Sequence, residues 1–310
     1  DGLFTLNNYS VFFSKAVNVL ALKNTITLGF LTVLLCGTIG TVLAFLVHFF
    51  DLPYTKIVDK LLLLPLVLPG LIIVFSFVQL YGESGLVTKT LELAFGLKRP
   101  LYSFSGLKGI LFVHGYTQYI YFYMNISVGI KHIDRAAIEA AQNLGASKIR
   151  ILMDIILPFL KPALISSSII TFMTGIGSFS APSIIGGKYK VLTTQILLAK
   201  SNNYMSIAAT QVVLLVLVSM IYLLIARIYE GKSKFTGSVK SVSIRPIKIR
   251  SRWLKNLLIC VLLVVVGIII LPIVTIILLS FVKPGTWMVD IYPKSFSLEN
   301  YIRIFRKARA

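Results

Sequence analysis

Acidic residues are scarce in this chain: 11 Asp and Glu stand against 31 Lys and Arg in 310 residues. These carboxylates are scattered, whereas a hydrolytic or metal-dependent enzyme needs them grouped with a histidine or a nucleophile. Only 3 histidines occur. His114 has no neighbouring carboxylate or cysteine for metal ligation, and Gly115 and Tyr116 beside it favour a helix contact. We therefore expect no catalytic residues, no metal site and no cofactor in this chain.

Cysteine is nearly absent as well, which excludes a disulfide framework. Cys36 and Cys260 both lie in apolar stretches, where a small apolar thiol is the simplest interpretation. Charged residues make up only 14% of the chain and hydrophobic residues 56%. A soluble domain has about a quarter of its residues charged. The composition therefore indicates a membrane protein.

The net charge of +20 does not indicate a nucleic-acid site. Such a site needs basic residues interleaved with aromatic residues on a soluble module. The basic residues of this chain instead adjoin apolar stretches. Attraction to anionic lipid headgroups is the favoured use of this charge. Gly187-Lys188 is not a phosphate loop, because Tyr189 stands where Ser or Thr is needed. We expect anionic lipid as a partner, with no nucleic acid and no nucleotide site in this chain.

The apolar stretches predict an all-α polytopic membrane protein, because each can supply the roughly 20 helical residues that cross a bilayer. Pro65 and Pro69-Gly70 predict a break in the second span. Residues 86–104 are a weak alternative span whose charges place it outside the hydrocarbon. The six predicted spans are 24–50, 57–80, 107–130, 160–185, 206–227 and 257–282.

Parity places the loops 51–56, 131–157 and 228–256 on one side of the membrane, since two spans separate each from the next. The last loop is strongly basic, and the positive-inside rule makes that side cytoplasmic. Its basic residues are Lys232, Lys234, Lys240, Arg245, Lys248, Arg250, Arg252 and Lys255.

The loop after the third span contains a predicted short helix with apolar residues at helical spacing. Asp134 can cap its start, and Gly145 permits a turn after it. Ser147 can cap a second short helix, predicted to end near Pro158. This pattern fits both an ordinary amphipathic loop and a helix that docks on a soluble partner. The residues on the predicted face are Ile133, Ala137, Ala140, Ala141 and Leu144, and those on the second helix are Ile151, Ile155 and Ile156.

Residues 131–158 resemble the cytoplasmic EAA loop of permease subunits from binding-protein-dependent ABC importers. The resemblance implies a type I importer permease fold in the bacterial inner membrane. It also implies that this loop docks on a cytoplasmic ABC ATPase dimer, which binds ATP, while an external solute-binding protein delivers the solute. The residues that match, and hence the predicted ATPase-coupling residues, are Glu139, Ala140, Ala141, Leu144, Gly145, Ile155, Leu157 and Pro158.

Asn24-Thr25 opens the first predicted span, as it commonly does in permeases that these residues resemble. Residues 177–187, followed by 191–196, are similar to one branch of the family, the permeases for iron(III), polyamine, phosphonate and thiamine. The resemblance implies iron(III) uptake, with import of polyamine, phosphonate, thiamine or sulfate as the alternative. An ATP-independent channel is the alternative outside the ABC class.

A ten-residue pattern occurs twice, at 4–13 and at 296–305, with Phe, Leu, Asn, Tyr and Phe in register. It predicts a duplication. On this interpretation, 1–230 is a first permease half without its first span, 231–256 is a basic cytoplasmic linker, and 257–310 is the first span and external segment of a second half. A second permease half in the same longer chain is then an expected partner.

Polar residues inside spans can either line a path for solute or hydrogen-bond to neighbouring helices. We predict a translocation path from residues on the spans that flank residues 131–158, which we term the coupling loop, and leave both interpretations open. Gly37 and Gly40 are instead predicted to be close-packing positions. The predicted path residues are Gln118, Tyr119, Asn125 and Ser178.

Overall fold

The computed structural model of the protein describes residues 6–97, 99–100, 102–231, 246–249, 251–283 and 295–307, and nearly all of them are helical. The helices are α1 (Asn7–Ser14), α2 (Ala16–His48), α3 (Thr55–Leu61), α4 (Gly70–Tyr81), α5 (Leu86–Phe95), α6 (Gly106–Thr117), α7 (Tyr119–Lys131), α8 (Arg135–Asn143), α9 (Lys148–Ile151), α10 (Leu157–Ile176), α11 (Ser180–Ile185), α12 (Leu192–Ser201), α13 (Met205–Gly231), α14 (Arg252–Ser280) and α15 (Glu299–Lys307).

In the described residues, 5 helical segments are long and apolar enough to cross a membrane. This confirms the all-α polytopic fold. The predicted third span, 107–130, is covered by two helices, α6 and α7, which meet at Gln118 instead of forming one continuous helix. The segments are Ala16–His48, Gly70–Phe95, Lys148–Ile176, Met205–Glu230 and Arg252–Ser280.

The predicted break in the second span is confirmed. Pro65 lies in a short 3₁₀ turn, Leu64–Leu66, and α4 begins directly after Pro69. A proline inside an α-helix lacks the N–H donor and collides with the carbonyl four residues earlier, so the chain starts a new helix instead. Helix α5, at 10 residues, is too short to cross the bilayer alone.

Two predicted span bounds were wrong. Helix α2 begins at Ala16, so Asn24 and Thr25 lie inside it rather than at its start, because the apolar run continues upstream. The predicted fourth span, 160–185, is divided: α10 ends at Ile176 and α11 starts at Ser180. Gly177 and Ser178 lie in this break, and both residue types are poorer helix formers than the apolar residues before them.

Helix α2 packs against α7 and α10 at the centre of the molecule. A methyl group built on Gly40 would lie 2.4 Å from the Tyr119 carbonyl oxygen, and one on Gly37 would lie 3.2 Å from Phe122. The absence of side chains therefore lets α2 approach α7 closely, as predicted for these two glycines.

Two of the three loops predicted to share one side meet. The N–H of Asp51 donates to the Ile247 carbonyl at 3.0 Å, and the N–H of Ile247 donates to the Phe49 carbonyl at 2.9 Å. These hydrogen bonds confirm that loops 51–56 and 228–256 lie together. The position of loop 131–157 on the same side stays a prediction. Of the basic residues, Lys248, Arg252 and Lys255 are described; Lys232, Lys234, Lys240, Arg245 and Arg250 lie outside the described residues.

Both copies of the repeated pattern form short helices that start at the same repeat position, Asn7 in α1 and Glu299 in α15. In the second copy, the Asn300 amide donates to the carbonyls of Ser280, at 3.0 Å, and Val282, at 2.9 Å. These two hydrogen bonds attach the second copy to the C-terminal end of α14. The division into two permease halves stays a prediction.

Candidate functional site

The coupling loop begins with α8, and its predicted caps are confirmed. The Asp134 carboxylate accepts from the Ala136 N–H at 2.9 Å, and the Ser147 hydroxyl accepts from the Arg150 N–H at 3.3 Å. Between the two helices, Gly145 has φ 78°, in the left-handed region that favours glycine. Asp134 and Ser147 thus stabilise the starts of α8 and α9, and Gly145 allows the turn between these two helices.

The second helix does not end near Pro158, contrary to the prediction. It passes from α9 through a π-helical turn, Leu152–Ile156, directly into α10. The N–H after this turn, on Leu157, donates to the Leu152 carbonyl, five residues back. The wider turn moves aside the carbonyl that Pro158 would otherwise meet. The loop is therefore joined to the membrane-spanning helix by continuous helix.

One face of the loop is anchored in the protein core. Ile133, Ile138, Ile151 and Ile156 are all buried and belong to the main apolar cluster. A displacement of α8 or α9 must therefore move the helix ends packed against them, because packed interiors have little room to yield.

The opposite side of the loop is exposed and apolar. Leu144 is 88% exposed, Ile149 74% and Met153 56%. We refer to these three residues and the exposed Ala140 together as the docking surface, after the role that the resemblance implies. Sequence reasoning missed Ile149 and Met153, although their spacing from the buried Ile151 could have indicated them.

The predicted single face of α8 was only partly right. Ile133 is buried and Ala141 is half-buried against the core, whereas Ala137, Ala140 and Leu144 are exposed. Ile133 precedes α8 and Leu144 follows it, so helical periodicity does not extend to them. Of the other predicted coupling residues, Glu139 and Gly145 are exposed, and Ile155, Leu157 and Pro158 are half-buried.

A cavity of about 290 Å³ lies among α4, α6, α7, α10 and α11, next to the break in the second span. We term it the polar cavity. Two predicted path residues, Gln118 and Ser178, line it. None of the described lining residues is Asp, Glu, Lys or Arg. Its other polar residues are His114, Thr117, Tyr121, Thr174 and Ser180.

The other two predicted path residues make interhelical hydrogen bonds. The Tyr119 hydroxyl donates to the Leu62 carbonyl at 2.5 Å, and the Asn125 amide donates to the Ser167 hydroxyl at 2.9 Å. Neither residue lines the polar cavity. Their geometry matches the interhelical interpretation, and their role in a path stays a prediction.

His114 is 1% exposed, and its Nδ1 lies 2.8 Å from the Thr32 hydroxyl on α2. The predicted helix contact is thus present. The other ring nitrogen, Nε2, has no hydrogen-bond partner among the described residues, although the ring lines the polar cavity. Because Nε2 itself has almost no accessible surface, the packing around it, rather than the cavity, leaves this nitrogen unpaired.

These features define a class: a multi-pass helical membrane protein with a polar cavity between its helices and a loop that is anchored on one face and exposed and apolar on the other. Residues 24–234 match the family of binding-protein-dependent transport system inner membrane components. The chain belongs to this family.

Relatives and solved structures agree with this family. The probable ABC transporter permease y4fN of Sinorhizobium fredii is 28% identical over 92% of this chain and 50% of its own length. The ferric transport permease FbpB of Actinobacillus pleuropneumoniae is 29% identical over 58% of this chain and 26% of its own. This chain therefore spans half or less of either relative. Further relatives are named for 2-aminoethylphosphonate and sulfate transport.

A bacterial ABC transporter involved in import of the acidic polysaccharide alginate has a TM-score of 0.62 to this chain. Its sequence is 18% identical, and the match covers 76% of this chain and 86% of the other. The fold is that of type I ABC importer permeases, as the sequence predicted.

Proposed function

We propose that this chain is the permease of an ATP-driven importer, in which a separate ABC ATPase dimer, the ATP-binding subunit, grips the docking surface. An external solute-binding protein delivers the solute to the opposite side. The observation that carries this proposal is the two-sided coupling loop, with Leu144 88% exposed and Ile151 only 5% exposed. Such a loop can bind a soluble partner on one face and move the membrane helices with the other.

In this mechanism, ATP binding favours an outward-open state and hydrolysis an inward-open one. The shift between the states is limited by the difference in affinity that the ATPase has for them. The coupling loop lies on the cytoplasmic side of a bacterial inner membrane, which is supported by Lys248, Arg252 and Lys255 in the basic loop that parity places on the same side. These residues also suit anionic lipid headgroups. The proposed second permease half is supported by the repeated ten-residue pattern.

Leu144→Asp tests the proposal. Because Leu144 is exposed, we expect normal insertion and thermal stability, with association of the ATPase weakened about tenfold or more, as when a buried apolar contact worth ~1.5 kcal/mol is lost. Association is measured by co-purification and ATP-dependent uptake in proteoliposomes.

Ile151→Asp is the matched control. It places a charge at a buried position of the same loop, and we expect loss of the folded protein rather than selective loss of the ATPase. Normal ATPase association and uptake by Leu144→Asp would contradict the proposal. Solute flux through the purified chain without ATP would favour the channel alternative.

The solute has two candidates. Iron(III) is supported by the similarity to FbpB. An oxyanion such as a phosphonate or sulfate is supported by relatives named for these solutes and by the polar cavity, whose described lining has no carboxylate. Carboxylates are the residues that stabilise a hard cation, so the cavity favours the anion. Uptake assays with each solute and its binding protein decide between them.

A further inference from the structure

Helix α15, with Leu298 directly before it, is divided lengthwise into an apolar face and a polar face. At about 3.6 residues per turn, the apolar side chains all project from one side and the charged and amide side chains from the other. The apolar face is exposed: Leu298 is 60%, Ile302 50% and Phe305 71% exposed. An exposed apolar patch of this kind indicates an interaction surface. The apolar residues are Leu298, Tyr301, Ile302, Ile304 and Phe305, and the polar residues are Glu299, Asn300, Arg303 and Arg306.

Helix α15 is held at the end of a membrane span. No charged residue occurs in 256–282, so the edge of the hydrocarbon lies near the C-terminal end of α14 at Ser280. The Asn300 side-chain amide donates to the Ser280 carbonyl at 3.0 Å, and the Tyr301 hydroxyl lies 2.7 Å from the Ser280 hydroxyl. These contacts place α15 at the surface of the bilayer.

The first copy of the repeated pattern shows which positions neighbouring helices can cover. Phe12 of α1 is fully buried, in an apolar cluster with residues of α2, α12 and α13. Leu6 and Phe13 nevertheless remain 79% and 53% exposed. They correspond to Leu298 and Phe305 in the second copy. Packing of a copy against the spans therefore leaves these two positions open, which favours lipid as what covers them.

A basic residue borders the same face. Arg306 lies one turn after Ile302, at the edge between the apolar and polar sides. An arginine at such an edge packs its aliphatic stem along apolar surface and directs its guanidinium to the headgroups, where it can bind phosphate. A shallow groove on this face is lined by Leu298, Tyr301, Ile302, Phe305 and Arg306.

We propose that α15 lies flat in the membrane interface at the end of α14, with Leu298, Ile302 and Phe305 among the acyl chains. Arg306 then lies at the level of the lipid phosphates. Amphipathic helices bind bilayers in this way, with the apolar face about 5–10 Å into the boundary between headgroups and acyl chains. The inference does not rest on the importer proposal.

Spin labelling of the full chain tests this, in nanodiscs of phosphatidylcholine and phosphatidylglycerol with any subunits that co-purify. Phe305→Cys carries the label in a Cys260→Ala background, and Cys36 is left in place because it is buried. Oxygen concentrates among acyl chains, whereas a charged nickel complex stays in water. We expect the label to collide mainly with oxygen, at a depth of about 5–10 Å. Ile302→Cys, on the same face, should give the same result.

Arg303→Cys is the matched control on the polar face. Its exposed ion pair with Glu299, at 3.0 Å, contributes little to the helix, so the substitution leaves α15 in place. We expect this label to collide mainly with the nickel complex.

The inference is overturned if the nickel complex reaches a label at 302 or 305 as readily as one at 303, which would place the apolar face in water. It is also overturned if a label at 302 or 305 is shielded from both reagents, which would show that protein covers the face. Either result leaves the importer proposal standing, because α15 lies outside the coupling loop.

Discussion

Gly40 sets how closely α2 approaches α7. A β-carbon at this position would meet backbone atoms of Tyr119 and Tyr123 at 2.4 and 2.9 Å, which cannot move aside as a flexible side chain can. We expect Gly40→Ala to destabilise the protein by ~1–3 kcal/mol through overpacking. Thermal unfolding of the purified protein in nanodiscs measures this.

Gly267→Ala is the matched control for Gly40→Ala. Gly267 lies in α14, and nothing lies within 4 Å of the position its β-carbon would take. We expect no loss of stability and a gain of up to ~1 kcal/mol, since alanine is the better helix former and its β-carbon displaces nothing here. Equal destabilisation by the two substitutions would show that Gly40 is not a close-packing position.

At single residues, local chemistry was predictable and long-range chemistry was not. Asp134, Gly145 and Ser147 act on atoms within three residues of themselves, so the sequence indicates them directly. The hydrogen bond at His114 Nδ1 joins it to Thr32, which is 82 residues away in sequence. No local pattern contains that information.

At the level of elements, the apolar runs predicted where helices occur better than where they are interrupted. Pro65 and Pro69 break the second span by a steric mechanism that can be read from the sequence. The interruption at Gln118 has no proline or glycine at that position. The π-helical turn before Pro158 depends on how a backbone carbonyl is displaced in the folded helix. Neither interruption can be recognised in the sequence as the proline breaks can.

Because the first span was predicted to start at Asn24, the interhelical hydrogen bonds of Asn24 and Thr25 were not predicted. Both residues lie within α2. The Asn24 side-chain amide donates to the Lys190 carbonyl at 2.9 Å, and the Asn24 backbone carbonyl accepts from the Tyr189 hydroxyl at 2.8 Å. The Thr25 hydroxyl accepts from the Leu192 N–H at 2.8 Å. The pair fastens the segment before α12 to α2.

We expect Thr25→Val to destabilise this attachment by ~1–3 kcal/mol, because it leaves the buried Leu192 N–H without an acceptor. Hydrogen exchange at the Leu192 amide should become faster, and thermal stability should fall. Thr38→Val is the matched control: its exposed hydroxyl bonds only to the Leu34 carbonyl of its own helix, at 2.8 Å, among the described residues. Unchanged exchange at Leu192 in Thr25→Val would contradict the prediction.

For the whole molecule, the arrangement of the loops suits transmission of force from the docking surface. The anchored side of the coupling loop shares its apolar core with Leu52 and Val58, which follow α2, and the second helix runs on into α10. Parity of the predicted spans predicted that loops 51–56 and 228–256, which meet, lie on the same side. Parity could not predict the continuous helix that joins α9 to α10, because Pro158 was expected to end the second helix of the loop.

Gly145→Pro tests this transmission. Proline fixes φ near −65°, whereas Gly145 has φ 78°, and its N–H, which donates to the Gln142 carbonyl at 2.9 Å, is lost. The turn between α8 and α9 must change, so Leu144 and Ile149 no longer present one surface. We expect an inserted protein whose ATP-dependent uptake and ATPase association both fall about tenfold or more, since the strain is of order 1–3 kcal/mol.

Gly96→Pro controls for the strain itself. Gly96 also has a positive φ, 62°, with nothing within 4 Å of its β-carbon position, but it follows α5, outside the coupling loop. The same steric conflict there should lower stability and leave the ATPase bound. Normal uptake and normal ATPase association by Gly145→Pro would contradict this prediction, as would an equal loss of the ATPase in Gly96→Pro. Either result would show that the turn at Gly145 does not position the residues of the docking surface.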